Sequence, residues 1–315
     1  MDGPVLVVGE ALTDILTAPD GVSRSTPGGS PANVALGLAR LGHPVSLATR
    51  VGRDALGRRV REHLRASGVA LTEGSVVDAA TSTATATLAA DGSADYRFEI
   101  AWEPPPATVE LAATGAAGHL HTGSIAATLA PGAARVEAAV GAARARVTVS
   151  YDPNLRPALL GRPEQERPRV ERLVAAADVV KASSEDLAWL FPGQKAEAVA
   201  ARWARGAPRL VVLTLGAEGA VAFWAGGSCR LPAVPTEVVD TVGAGDAFMA
   251  GLVSGLLRAG LLGPAGSARA RLDEATSTDR PSPAVLAALA LASRVAALTC
   301  ARPGADPPSR ATLLS

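Results

Sequence analysis

Lysine is almost missing. Lys181 and Lys195 are the only two in 315 residues, and neither follows a glycine-rich loop. A Walker-type phosphate loop needs a lysine directly after its glycine, so any nucleotide must be held another way. Cysteine is as sparse: Cys229 and Cys300 stand far apart with no CxxC partner. That argues against a disulfide frame or a zinc cluster and fits a reducing compartment. Net charge is zero and no basic block occurs, so no nucleic-acid partner is expected. Aromatics are only 3% of the chain, which speaks against a site built on base stacking. The start, Met1-Asp2-Gly3-Pro4, has no basic n-region and no apolar stretch of signal length, so a cytoplasmic protein is expected. The apolar stretch Ala284 to Cys300 is alanine-rich and carries Arg294. It reads as a buried helix, and no membrane partner is expected.

What is present is an ordinary soluble composition, 48% hydrophobic and 19% charged. Short apolar runs alternate with helical patterns: Pro4 to Val8, Val45 to Val51, His119 to Thr122, Arg146 to Tyr151, Asp178 to Lys181 and Leu210 to Leu215. This rhythm predicts an α/β fold with a mostly parallel sheet and helices on both faces. Asp54 to Ser67 reads as an amphipathic, arginine-rich helix. Between the second and third runs the texture changes. Thr81 to Leu88 and Ala94 to Ile100 alternate with period two around Asp91-Gly92, the pattern of a β-hairpin. Tyr96 and Phe98 share one face of it and Arg97 takes the other; either face is open to meet a ligand. Residues 263 to 283, rich in Gly, Pro, Ser, Arg and Asp, read as a surface insertion without chemistry.

The chemistry concentrates in Asp240-Thr-Val-Gly243-Ala244-Gly245-Asp246, followed by an apolar run of helical spacing. Glycines let the backbone approach a ligand, and the first amides of a helix lack intrahelical acceptors. Such a helix start attracts anions. A carboxylate beside it makes sense if Asp246 takes a proton from a hydroxyl that then attacks a phosphoryl group. The alternative is a turn packed for space, with Asp246 as an ordinary first-turn acid. A second stretch, Gly28-Gly29-Ser30-Pro31-Ala32-Asn33, opens another helix, with Pro31 suited to its first turn. The amide of Asn33 both donates and accepts, which is useful for reading a polyol.

Together, and in this order, the two stretches resemble the paired signatures of the ribokinase/PfkB family of carbohydrate kinases, along nearly the whole chain. The resemblance implies a single ribokinase-like three-layer α/β/α domain over 1–315. A small β lid over the sugar is expected from roughly 10–28 and 80–103. It implies Asp246 as catalytic base, with the amides of Gly243, Ala244 and Gly245 on the transferred phosphoryl group. Asp14, in Gly9-Glu10-Ala11-Leu12-Thr13-Asp14, matches the family's sugar-binding acid, joined by Gly28, Gly29 and Asn33. Tyr96, Arg97 and Phe98 belong to the lid. Asp152-Pro-Asn-Leu-Arg156-Pro resembles an element of fructokinases and 2-keto-3-deoxygluconate kinases. There Arg156 would pair with a phosphate or with an acidic sugar's carboxylate. Thr214, Gly216 and Gly219 match the ATP loop, and Lys181 and Ser183 are assigned with them to nucleotide binding. Ser183 and Asp186 replace the family's Asn and Glu beside hydrated Mg²⁺, with Glu185 adjacent; either acid is a candidate. Asp240, the Val242 carbonyl, Thr299 and Gly304 match positions that hold a monovalent cation, K⁺. His121 reads as a structural histidine.

The implied activity is ATP-dependent phosphorylation of a primary sugar hydroxyl, with fructose the leading acceptor. Alternatives are a 2-keto-3-deoxygluconate kinase or ribokinase, then a nucleoside kinase, then a non-catalytic sugar binder. An open lid edge is free to pair with a second copy.

Overall fold

The computed structural model describes residues 3–88 and 94–314; the expected Asp91-Gly92 turn lies outside them. A buried apolar run forms β1 (Val5–Val8), and the chain then leaves the main layer as β2 (Leu12–Thr17) and β3 (Ser23–Gly28). It returns through α1 (Ser30–Arg40) to β4 (Val45–Ala48). The single strand expected over Val45 to Val51 is broken here. The Thr49 amide is drawn off by the Ser75 hydroxyl (3.2 Å), and β5 (Val51–Gly52) pairs elsewhere. Helix α2 (Ala55–Ala66) is capped by Asp54, which accepts from the Gly57 amide at 2.7 Å. Next come β6 (Val69–Leu71), β7 (Val76–Val77), which partners β5, and the long pair β8 (Thr83–Leu88) and β9 (Ala94–Glu99).

The second half repeats the β/α alternation: α3 (Thr108–Ala113), β10 (His119–Gly123), α4 (Ser124–Thr128), α5 (Gly132–Arg144), β11 (Thr148–Asp152), α6 (Pro163–Ala176), β12 (Val179–Ser183), α7 (Ser184–Leu190), α8 (Ala196–Ala204) and β13 (Leu210–Thr214). Two antiparallel strands, β14 (Ala220–Trp224) and β15 (Gly227–Leu231), finish the sheet edge. Helices α9 (Ala244–Arg258), α10 (Ala265–Ala275), α11 (Pro283–Cys300) and α12 (Arg310–Leu314) complete the chain.

The main sheet has nine strands in the order β15-β14-β13-β12-β11-β10-β1-β4-β6, parallel from β13 to β6. Its two faces carry separate cores. Val5 and Val7 point into one with α1, α2, α9 and α11; Leu6 and Val8 point into the other with α3 to α8. The mostly parallel, doubly covered sheet is the fold class expected from the alternation. A four-stranded sheet in the order β3-β2-β8-β9 stands apart from it.

Small residues set how closely the site-bearing helices approach. A Cβ added at Gly255 would lie 2.6 Å from Ala288 Cα, and one at Gly37 would lie 2.7 Å from Ala250 Cβ. Helix α9 is thereby pressed between α11 and α1. Helix α11 is long and apolar enough to cross a membrane, yet Val285, Ala288, Leu289 and Ala292 are buried within the core shared with α9, and Val295 is buried beside Leu41 and Ala247. The 263–283 stretch is not a loose insertion. It contains α10, which buries Ala268 and Leu272, while Arg269 bonds Asp178 at 2.7 Å. Its buried stripe is mostly alanine, too weakly apolar to stand out among arginines.

Candidate active site

The carboxyl ends of β1, β10, β11, β12 and β13 open at one edge of the sheet, where ligands collect in open α/β folds. Register decides what stands there. Ser150 of β11 lies opposite Val179 of β12, so two residues on, Asp152 and Lys181 emerge on the same face. They meet: Lys181 Nζ lies 2.8 Å from Asp152 Oδ2, with both side chains almost fully buried. Among the described residues Asp152 Oδ1 has no hydrogen-bond partner, and Oδ2 makes only this ion contact. Burial pushes the Asp152 carboxyl up to about 6 despite Lys181. Burial opposes the Lys181 charge, but Asp152, Asp186 and Asp246 outweigh it and hold the ammonium's pKa above its ordinary value. Deeper in the same face, His119 and His121 share the Ser150 hydroxyl (2.8 and 2.9 Å). Burial lowers them to about 4 and about 3, so they stay neutral, as structural histidines.

Helix α9 begins against this pair. Gly243 turns the chain with φ 74°, a left-handed conformation that favours glycine. No side chain caps the helix start. Among the described residues the Gly243 and Gly245 amides have no acceptor, whereas the Ala244 amide donates to the Thr241 carbonyl at 3.2 Å. Of the three amides expected at the phosphoryl group, that of Ala244 closes the local turn instead. Lys181 Nζ reaches the Gly245 carbonyl at 3.5 Å. Asp246, 7% exposed, is held on both oxygens. Ser30 Oγ donates to Oδ1 at 2.7 Å, and Asn33 Nδ2 donates to Oδ2 at 2.8 Å. The two signature stretches thus touch through their polar side chains.

The small sheet adds a wall. Asp14 of β2 opens into the cleft, yet crowding by protein pushes it up to about 6; Arg156 opposes this and Asp246 adds to it. Gly28 is what lets Asp14 fit, since a Cβ there would fall 1.9 Å from its carboxylate. Gly29, at φ 103°, turns the chain into α1. Register settles which lid face points inward. Asp14 lies opposite Ala84, and Ala84 opposite Phe98; Leu16, Ala86 and Tyr96 align the same way. Tyr96 and Phe98, stacked with centroids 6.4 Å apart, share the face of Asp14. Arg97 falls in the row of Ile15 and Thr85 on the opposite face, paired with exposed Glu99 at 2.6 Å. Arg97 thus lies on the lid face away from Asp14. Arg156 remains, its charge felt at both Asp14 and Glu10. Its Nη1 donates to the Asn154 side chain at 2.6 Å.

At the other end lie the nucleotide candidates. Thr214 ends β13, and the turn after it, exposed at Gly216 and half-buried at Gly219, has positive φ at both glycines (56° and 92°). Ser183 and Asp186 form a reciprocal capping box at the start of α7. Asp186 also accepts from the Leu155 amide at 2.7 Å, so both its oxygens are engaged, while Glu185 is exposed. Asp240 ties two loops, accepting from the Val242 amide (3.0 Å) and the Gly304 amide (2.8 Å). Val242 is exposed; Thr299 is buried and bonds its hydroxyl back to Val295.

Comparison with known proteins gives this geometry its context. The chain matches the pfkB family carbohydrate kinase profile over residues 5–312. The chain belongs to this family. A fructokinase of Klebsiella pneumoniae is 38% identical over 269 residues, covering 83% of this chain and 87% of its own. A fructokinase structure from Xylella fastidiosa with bound ATP superposes with TM-score 0.80 at 28% identity, over 97% of this chain and 94% of that one. A Vibrio cholerae O395 fructokinase double mutant, in a fructose, ADP and potassium ion bound form, gives 0.72 at 27%, over 100% and 98%. As a pfkB carbohydrate kinase, this chain is a phosphotransferase with a sugar acceptor.

Three residues gathered at this end of the sheet went unassigned in the sequence. Ser30 lay inside the quoted signature, but nothing local says that its hydroxyl meets residue 246. Asp152 is indistinguishable in sequence from a loop aspartate. Glu10, fully buried, accepts from the Ala126 amide at 3.0 Å and is pushed up to about 7 by burial; its only signal was an acid directly after a buried strand.

Proposed function

We propose that this carbohydrate kinase is an ATP-dependent fructokinase, transferring the γ-phosphoryl group of ATP to a primary hydroxyl of fructose to give fructose 6-phosphate. One observation carries the reading: Asp246 sits in the first turn of α9, beside the open amides of Gly243 and Gly245 and in contact with Asn33 of the other signature. The named relatives supply the acceptor, being fructokinases, one of them with fructose and ADP bound.

In this reading the small sheet is a lid on a single domain, and the sugar lies against Asp14, Gly29 and Asn33. With Nδ2 on Asp246, Asn33 keeps an N–H and its carbonyl for a sugar hydroxyl. Asp246 accepts the proton of the primary hydroxyl as that oxygen attacks the γ-phosphorus. The Gly243 and Gly245 amides receive the developing negative charge. Thr214 and the Gly216–Gly219 turn hold the nucleotide.

No cluster of three metal-ligating side chains occurs among the described residues. That suits Mg²⁺, which keeps its waters and is held through phosphates and one or two carboxylates. Exposed Glu185 would reach its hydration shell, while Asp186 shapes the loop. Bound there, Mg²⁺ would neutralise phosphate charge. The Asp240–Gly304 contact brings together the loops that would hold K⁺. The Gly304 carbonyl accepts one backbone N–H (2.9 Å), leaving a second lone pair for a cation. Unpaired Cys229 and Cys300 support a cytoplasmic enzyme. The open edge of β9 in the lid supports pairing with a second copy, which sedimentation would test.

The test is Asp246→Asn. The fold should survive, because the Ser30 hydroxyl can rotate to accept from the new amide while Asn33 still donates to its carbonyl. Turnover should fall about 10²–10⁴-fold, the usual worth of a positioned base. A folded variant with wild-type kcat would remove Asp246 from the chemistry. ADP release measured with fructose, ribose, 2-keto-3-deoxygluconate and adenosine decides the acceptor.

A further inference from the structure

The reacting carboxylate is held by a helix far from it in sequence. Ser30, the first residue of α1, is 7% exposed and donates its only hydroxyl hydrogen to Asp246 Oδ1 at 2.7 Å across 216 residues. Asn33, one turn on, donates to Oδ2 at 2.8 Å. The two donors differ in what they have left. Asn33 retains a second N–H and a carbonyl that a sugar hydroxyl can engage. Ser30 has no hydrogen to spare and is the more deeply buried of the two. Its position is also firmly set. Gly29 at φ 103° leads into it, Pro31 fixes the first turn, and α1 is pressed onto α9 where Gly37 meets Ala250.

We propose that Ser30 is a positioning residue for the phosphoryl-transfer reaction: it locks the rotation of the Asp246 carboxylate so that one oxygen stays aimed at the acceptor hydroxyl. The inference rests on the assignment of Asp246 as base. Asn33 cannot do this alone, because a carboxylate held at one oxygen still swings about its Cβ–Cγ bond, whereas donors on both oxygens fix its plane. A base aimed before the substrate arrives contributes through orientation, and that contribution appears in the chemical step rather than in binding.

The experiment is a set of steady-state kinetics on Ser30→Ala, Ser30→Thr, Asp246→Asn and the Ser30→Ala/Asp246→Asn double variant, with fructose and ATP. Thermal unfolding of each confirms the fold. Ser30→Ala should lower kcat about tenfold or more, the usual worth of a hydrogen bond to a charged group. KM for both substrates should stay within about twofold. Ser30→Thr keeps the hydroxyl and should recover most of kcat. In the Asp246→Asn background, Ser30→Ala should change little, because its effect passes through the carboxylate. A folded Ser30→Ala with wild-type kcat overturns the proposal, and so does a folded Ser30→Thr as slow as alanine. A full further loss in the Asp246→Asn background overturns it too. If Asp246→Asn itself keeps wild-type kcat, the base assignment fails and Ser30 falls with it. An impaired Asp246→Asn beside an unaffected Ser30→Ala sinks the Ser30 role alone.

Discussion

Replacing Lys181 with methionine removes the cation that touches Asp152 and leaves a carboxylate that is 1% exposed with no partner on either oxygen. Breaking a buried pair from one side typically destabilises by about 3–5 kcal/mol, because the remaining charge has lost its water and gained nothing. At about 2 °C per kcal/mol for a chain of this size, Tm should fall by roughly 6–10 °C near pH 8. The effect carries a pH signature. Asp152 already titrates near 6 when folded, above its ordinary 3.8, through burial. Between those values the folded chain holds a proton that the unfolded chain has released, so this group makes stability fall as pH rises through the window. Without Lys181 the carboxyl moves higher still, so the window widens upward and the slope extends past neutrality. At pH 5 the carboxyl is protonated in the folded variant, and most of the penalty should vanish. The double variant Asp152→Asn/Lys181→Met carries no charge at either position and should recover much of the loss at pH 8. Urea denaturation of the wild type, Lys181→Met and the double variant at pH 5 and pH 8 measures all of this. Equal losses at the two pH values, or a double variant no better than Lys181→Met, would refute the reasoning.

Two further substitutions test other parts of the site. Glu10, raised from 4.5 to about 7 by burial, makes the wild type lose about 3 kcal/mol as pH rises between those values. Glutamine keeps the acceptor for Ala126 and cannot ionise, so the stability advantage of Glu10→Gln should grow from pH 4.5 to 7; parallel stability curves would remove Glu10 from the titration. Arg97→Ala should leave kcat and KM for fructose within twofold, since Arg97 lies on the face away from Asp14. A large rise in the fructose KM would show that the lid presents its other face to the sugar.

The sequence made the two signature helices legible because each is announced locally. Glycine followed by a small-residue helix needs no distant partner to be recognised, and the same holds for the capping of α7 by Ser183. The β/α alternation was legible for the same reason, each buried strand being an apolar run bounded by turns. What stayed hidden depends on register. Period-two alternation told that Tyr96 and Phe98 share a face. It did not tell which face looked inward, because β9 is exposed on both sides and only its alignment through Ala84 to Asp14 decides. The α10 helix escaped because its buried side is Ala265, Ala268 and Leu272, a stripe with too little apolar bulk to read.

The same logic explains why the polar contacts around Asp246 could not be read in advance. Asp152 and Lys181 are 29 positions apart, on neighbouring strands whose pairing is fixed by the hydrophobic faces above and below them. Ser30 and Asp246 are 216 apart, joined because Gly37 and Gly255 let three helices pack within backbone reach. In each case the chemistry-bearing atoms are placed by residues that carry no chemistry. Enlarging Gly37 or Gly255 would therefore disturb the aim of Asp246 without touching it. The precision of the site belongs to the small-residue packing of α1, α9 and α11 as much as to the motif that announces it.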